Sequence, residues 1–417
     1  MTTETPFTIA IPDSKLDVLG QKLALADFPD ELEGASWNYG VPLADVKRLV
    51  AHWIKGYNWR AEEAKLNAEL PQFTRGINID GFGQLNIHYV HKKSQNANAI
   101  PLLFVHGCKL LLLWPGSFIE VRKILPLLIR SSPNFPSFHV VAPSLPGYGF
   151  SEGAHKPGFS GDQYAEVAHK LMISLGYNQY VTQGGDWGSL ITRIIAQKYG
   201  GSHSKAWHTN YPGGSPLQFR LNPILYIQHS LTPYTEAEKA GLVRSKWFET
   251  EGRGYFIEQS TKPQTLGYSL ADSPVGLLAW IYEKLVEWSD SYPWTDDEVL
   301  TWLMVFYFSR AGPAASVRIY YEVVHSQVYI PSPALKPTIP LGVSHFPKEL
   351  RIAPRKFVHN IGNLVFQAEH TSGGHFAAHE RPDELVGDLR KMFGKRGPAF
   401  GVVPGKNGYE KKAKSKL

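Results

Sequence analysis

Three short runs of nearly uninterrupted apolar residues, each bracketed by turn-forming residues, restrict this chain more than any other feature. Pro101-Leu102-Leu103-Phe104-Val105, Phe138-His139-Val140-Val141 and Tyr180-Val181-Thr182 are too short for helices and lack the alternation of a half-exposed strand. Runs of this kind suit strands buried on both faces, and the helix-like intervals between them suit crossovers. The pattern predicts an α/β fold built on a mostly parallel, doubly wound sheet. Two further strands are predicted over residues 338–343 and 364–367, followed by a closing helix over 382–393.

The rest of the chain divides around that core. Residues 1–94 read as an N-terminal helical arm, with helices predicted over 16–25 and 43–56 and a helix-prone run over 61–70. Residues 95–214 and 333–396 form the two parts of the core, and 215–332 interrupt them as a block of aromatic-rich helices, among them 276–288 and 297–308, expected to form a lid. Residues 397–417 are expected to be a flexible basic tail.

Charge and cysteine usage exclude several classes of function. The net charge of +6 is concentrated at the end: residues 391–417 hold eight Lys and Arg against one acid, Glu410, so the remaining 390 residues carry about −1. A folded body without a basic face is not expected to bind nucleic acid. Cys108 is the sole cysteine, which excludes an intramolecular disulfide or thiolate cluster and fits a reducing compartment. No stretch reaches the ~18 apolar residues of a membrane span, and Met1 to Ile11 do not read as a signal peptide. The last three residues, Ser415-Lys416-Leu417, match the tripeptide read by the peroxisomal import receptor, so peroxisomal localisation is expected, with the cytoplasm as the alternative.

Chemistry centres on Gln183-Gly184-Gly185-Asp186-Trp187-Gly188, which follows a predicted strand and precedes a helix-like run over 189–197. That is the context of a nucleophile elbow, with small residues flanking a strained turn. Asp186 stands where a serine hydrolase carries Ser. A carboxylate there attacks an electrophilic carbon and forms an alkyl-enzyme ester. An Asp before a helix can equally be a simple N-cap, so the partners decide. In this architecture the acid and the histidine follow on loops after later strands. Glu349 and His375 occupy those slots, with Glu369 as a rival acid and His370 and His379 as rival bases. His375, His379 and Glu380 lack an HExxH pattern or a third ligand, so no metal is expected, and no Walker-type or Gly-x-Gly-x-x-Gly loop suggests a cofactor.

These residues resemble the microsomal epoxide hydrolase family over about residues 6–393. The match includes Trp37-Asn38-Tyr39-Gly40-Val41-Pro42-Leu43, Tyr57-Asn58-Trp59-Arg60, Leu66-Asn67 and Phe73 in the arm. It continues through Leu145-Pro146-Gly147-Tyr148-Gly149-Phe150-Ser151, the elbow, Phe346-Pro347-Lys348-Glu349 and Gly373-Gly374-His375-Phe376-Ala377-Ala378. The resemblance implies an α/β-hydrolase fold and a triad of Asp186 as nucleophile, His375 as base and Glu349 orienting it. It also implies two tyrosines holding the epoxide oxygen, Tyr255 in Gly254-Tyr255-Phe256 and Tyr320 in Ser316-Val317-Arg318-Ile319-Tyr320-Tyr321-Glu322, with Tyr321 as the neighbouring alternative. The implied substrates are an apolar epoxide and water, the product a vicinal diol, and a homodimer is compatible. Peroxisomal import favours epoxides of fatty acids or polyketide-derived acids, in detoxification or secondary metabolism. An aspartate-nucleophile dehalogenase is the alternative chemistry, although a departing halide needs no proton and so no tyrosine pair.

The oxyanion hole is where the chain departs from that family. Its two expected donors are the backbone amides of Trp187 and Trp114. The family pattern runs His-Gly-Trp-Pro-Gly-Ser-Phe, whereas here Cys108-Lys109-Leu110-Leu111-Leu112-Leu113 separates His106-Gly107 from Trp114-Pro115. A displaced Trp114 would cost roughly a hundred- to thousand-fold in rate. Such a loss would leave a catalytically impaired, ligand-binding homologue.

Overall fold

The computed structural model describes residues 4–105, 116–214, 216–326 and 336–410. The predicted sheet is present and larger than the sequence suggested. Its nine strands are β1 (Thr5–Phe7), β2 (Gln72–Ile79), β3 (Gly83–Lys92), β4 (Ile100–Val105), β5 (Phe138–Pro143), β6 (Tyr180–Gly184), β7 (Ser204–Thr209), β8 (Pro340–His345) and β9 (Asn363–Glu369). Their order across the sheet is β1-β2-β3-β5-β4-β6-β7-β8-β9. Pairing is antiparallel from β1 to β5 by way of β2 and β3, and parallel from β5 onward. Every residue of β4, β5 and β6 is buried, as their apolar runs require.

The expectation of a purely helical arm needs correcting. Its helices are present as Asp13–Ala24, Leu43–Lys55 and Trp59–Glu69, but β1, β2 and β3 also lie before residue 94 and extend the sheet. β2 and β3 form a hairpin; β2 mixes buried with partly exposed residues, while β3 is buried from Ile87 to His91 but carries Asn86, His88 and His91 among its apolar residues, so neither carries a continuous apolar run. β7 was missed for a related reason, since Ser204, Lys205, His208 and Thr209 leave only Ala206 and Trp207 apolar in a strand that is almost wholly buried.

The helices follow from local chemistry. In Leu43–Lys55, Val46, Leu49, Val50 and Trp53 recur at helical spacing and are all buried. Trp59–Glu69 is capped by the Asn58 side chain, which accepts from the Ala61 amide at 3.1 Å. Between β7 and β8 the described residues form seven helices: Pro223–Leu231, Glu236–Thr250, Gly254–Thr261, Pro263–Asp272, Pro274–Glu287, Asp296–Tyr307 and Arg318–His325. They make an inserted helical layer over the ends of β6, β8 and β9.

The arm clasps that layer. His52 Nε2 lies 2.7 Å from Asp297 Oδ1, Tyr57 Oη lies 3.0 Å from Thr301 Oγ1, and Arg48 pairs with Asp296. The Trp59 ring packs on Phe308 with centroids 6.1 Å apart. A second tie comes from the core, where the Tyr148 hydroxyl donates to the Ser316 carbonyl at 2.9 Å, two residues before the helix that carries Tyr320. No helix among the described residues is long and apolar enough to cross a membrane.

Candidate active site

β6 ends at Gly184 and the helix Trp187–Lys198 begins three residues later, so the chain must reverse within Gly185-Asp186. Asp186 carries the reversal with φ 55° and ψ −133°, a conformation that is costly for a residue with a side chain. Its neighbours must be glycine for steric reasons. A Cβ on Gly188 would lie 1.8 Å from the Val105 carbonyl oxygen, and one on Gly184 would lie 2.2 Å from that of Gly188. The Asp186 side chain makes no capping hydrogen bond to the helix, so capping does not account for its presence. Trp187 is the first residue of that helix, where a backbone N–H has no partner within the helix.

Glu349 and His375 come to this turn from the loops after β8 and β9. His375 Nε2 is 3.4 Å from Asp186 Oδ2, and His375 Nδ1 is 2.7 Å from Glu349 Oε1. The Leu350 amide also donates to Glu349 Oε1 at 2.8 Å, fixing the carboxylate. The two loops are joined directly, with the Lys348 amide donating to the Gly373 carbonyl at 3.1 Å. All three side chains are buried, none more than 3% exposed. Burial alone would lower the His375 pKa. The charge of Glu349, together with the hydrogen bond and charge of Asp186, reverses that and raises it to about 10.

Two phenols lie above this chain of polar groups. Tyr320 packs edge-on against Trp187 with centroids 5.8 Å apart, and Tyr255 packs edge-on against Tyr320 at 6.4 Å. Both are buried, and neither hydroxyl has a hydrogen-bond partner among the described residues. Burial raises both pKa values well above the ordinary phenol value, and the Asp186 charge adds to the rise at Tyr255. They are therefore protonated at neutral pH, with their O–H groups unused by the protein.

A family model described as the epoxide hydrolase N terminus matches residues 4–121, and one described as the alpha/beta hydrolase fold matches 100–234. A putative epoxide hydrolase from Stigmatella aurantiaca is 37% identical over 93% of this chain and 84% of its own length. The chain belongs to the epoxide hydrolase family. Epoxide hydrolase 1 of Sus scrofa is 36% identical over 93% of this chain and 88% of its own. The solved structure of Aspergillus niger epoxide hydrolase superposes with a TM-score of 0.78 at 34% identity, covering 93% of this chain and 95% of that one.

In this epoxide hydrolase the rival residues face elsewhere. Glu369 pairs with Arg355 on the outer part of the sheet. His370 Nε2 lies 2.6 Å from Asp388 Oδ2, and His379 stacks on Trp294 at 4.9 Å while contacting Lys123 and Glu298. Tyr321 is 40% exposed and stacks on His325, away from Asp186. No group of three or more metal-ligating side chains is present among the described residues.

Trp114, the insert at 108–113 and the terminal Ser415, Lys416 and Leu417 lie outside the described residues. Sequence reasoning overlooked the aromatic walls of His375, since Tyr211 and Trp288 stand edge-on to its ring at 6.2 and 5.9 Å. Nothing distinguishes those two among 20 tyrosines and 11 tryptophans without the fold.

Proposed function

We propose that this epoxide hydrolase converts an apolar epoxide and water to a vicinal diol through an ester on Asp186. The observation that carries the reading is the continuous path Glu349–His375–Asp186 lying beneath two buried phenols with unused O–H groups. In the first step an Asp186 oxygen attacks an epoxide carbon and the C–O bond breaks. Tyr255 and Tyr320 donate to the departing oxygen, and one of them gives up its proton.

Ester formation then changes His375. With Asp186 esterified, its charge no longer holds the imidazole protonated, and the imidazolium passes its proton to the phenolate. The neutral imidazole, oriented by Glu349, takes a proton from water as that water attacks the ester carbonyl. The Trp187 amide donates to the oxyanion, with Trp114 as its proposed second donor. Collapse of the tetrahedral intermediate breaks the ester C–O bond, the leaving alkoxide takes the imidazolium proton to complete the diol, and the Asp186 carboxyl passes its own proton back to His375, restoring the starting ion pair.

A departing halide would leave both phenols without a task, so the paired tyrosines favour an epoxide over a haloalkane. The aromatic lining of the helical layer, acting as a lid, suits apolar aryl or long-chain epoxides.

The test is diol formation from styrene oxide and 1,2-epoxydecane by the purified protein and by Asp186→Asn. Turnover by the former alone is expected. A single turnover in ¹⁸O-labelled water should give unlabelled diol and labelled Asp186, because the new diol oxygen comes from the carboxylate. Label in the diol would mean direct attack by water and would overturn the ester route.

A further inference from the structure

Glu380 lies outside the proposed triad, is 9% exposed, and serves the backbone on both sides of His375. Its Oε2 accepts from the Gly374 amide at 3.1 Å and from the Asp290 amide at 2.8 Å, and its Oε1 accepts from the Phe376 amide at 3.0 Å. The other two amides of the loop are also committed. Gly373 donates to Asp290 Oδ2 at 2.8 Å, and His375 donates to the Trp288 carbonyl at 2.8 Å. Four consecutive N–H groups, from Gly373 to Phe376, thus end on Glu380 or on the segment 288–290 of the helical layer.

The contact is tight. A Cβ on Gly374 would lie 2.4 Å from the Trp288 oxygen, so the loop approaches as closely as it does because that residue is glycine. Keeping a charge at Glu380 is expensive. Burial pushes its pKa up to about 7, even though the amides of Asp290, Phe376 and Gly374 and the charge of His375 pull the other way. A carboxylate held at that cost supplies two acceptor oxygens to three amides, which no neutral side chain of its size can do.

We propose that Glu380 is a positioning residue for the second half-reaction: its carboxylate clamps the His375 loop to the helical layer and so sets the imidazole for water activation. The inference rests on the proposed ester route. It predicts a split between the two steps, because Asp186 and the phenols act in ester formation while His375 is needed as a base only in ester breakdown. Glu380→Gln keeps the shape but turns an NH2 toward one of the amides, donor against donor.

The experiment is rapid-quench intact-mass analysis of the full chain with styrene oxide and 1,2-epoxydecane, comparing wild type, Glu380→Gln and Asp186→Asn, with melting temperatures alongside. Ester breakdown in Glu380→Gln is expected to slow about 10- to 100-fold, the scale of a loss of positioning, while ester formation stays within about threefold. The variant should therefore accumulate the ester. Equal slowing of both steps, or an unchanged ratio, would overturn the positioning role while leaving the ester route intact. No ester in wild type would remove both.

If Glu380→Gln does not fold, Asp290→Ala removes the neighbouring acceptor of the same loop and should shift the same ratio in the same direction, by less. An unshifted ratio in that variant would overturn the inference.

Discussion

The two halves of the site are held by different physics. On the core side, Asp186, His375 and Glu349 are linked by polar contacts of 3.4 and 2.7 Å, and the loops of the latter two are themselves bonded together. On the side of the helical layer, Tyr255 and Tyr320 are held by ring packing, and their hydroxyls are bonded to nothing among the described residues. In the proposed route the core side is a proton-transfer chain, which must be aligned in advance, and hydrogen bonds align it. In the same route the phenols are donors to a substrate, which must be kept from bonding to the protein, and apolar packing keeps them so. The difference implies that polar deletions on the core side cost both structure and chemistry, whereas on the layer side they cost chemistry alone.

The strongest way to break this comparison is at Asp186, the proposed nucleophile. Asp186→Asn should lower turnover by at least about 10⁴-fold, measured as diol formation. His375→Gln should slow turnover by about 10³-fold and leave ester on Asp186, visible by mass, because only the second step needs the base. Tyr255→Phe and Tyr320→Phe should each lower kcat/KM about 100-fold without lowering the melting temperature, since the lost hydroxyl had no partner to lose. A fall in melting temperature with unchanged rates would assign these tyrosines to packing instead.

Titration sharpens the core side. The folded pKa of His375, about 10, is above its ordinary value of 6.5, so the imidazolium stabilises the fold fully below pH 6.5 and loses that contribution as pH rises toward 10. The melting temperature of wild type should therefore fall more between pH 6.5 and 10 than that of His375→Gln, and parallel curves would refute the assignment. The smallest effect is expected at the arm, where Tyr57→Phe removes the bond to Thr301 and should cost about 1 kcal/mol in chemical denaturation with nearly unchanged kcat.

Legibility in the sequence followed the same division. The parallel strands announced themselves because burial on both faces demands apolar runs, and the elbow because its glycines are sterically enforced. β2 was hidden by its partly exposed face, β3 by His88 and His91 among its buried residues, and β7 by Lys205 and His208 within a buried strand. Asp186, Glu349 and His375 could be nominated from chain order, which already favours Glu349 over Glu369 because the latter lies so close to His375, and the structure adds the 2.7 Å contact of His375 Nδ1 with Glu349. The tyrosines emerged from resemblance alone, since an unbonded hydroxyl leaves no trace in a sequence. Glu380 was noticed only as part of a rejected metal pair, because a carboxylate that accepts backbone amides has no spacing signature.

The clasp between arm and helical layer also imposes an order of events on biosynthesis. Tyr57 and Thr301 are 244 positions apart, and at ~5–20 residues per second the first waits roughly 12–50 s for the second to be made. Closing a contact across so long a span is entropically late in any folding route. The clasp therefore cannot close before the layer is made, and until then a nascent chain carries the helix face of Val46, Leu49, Val50 and Trp53 without the layer that the arm grips.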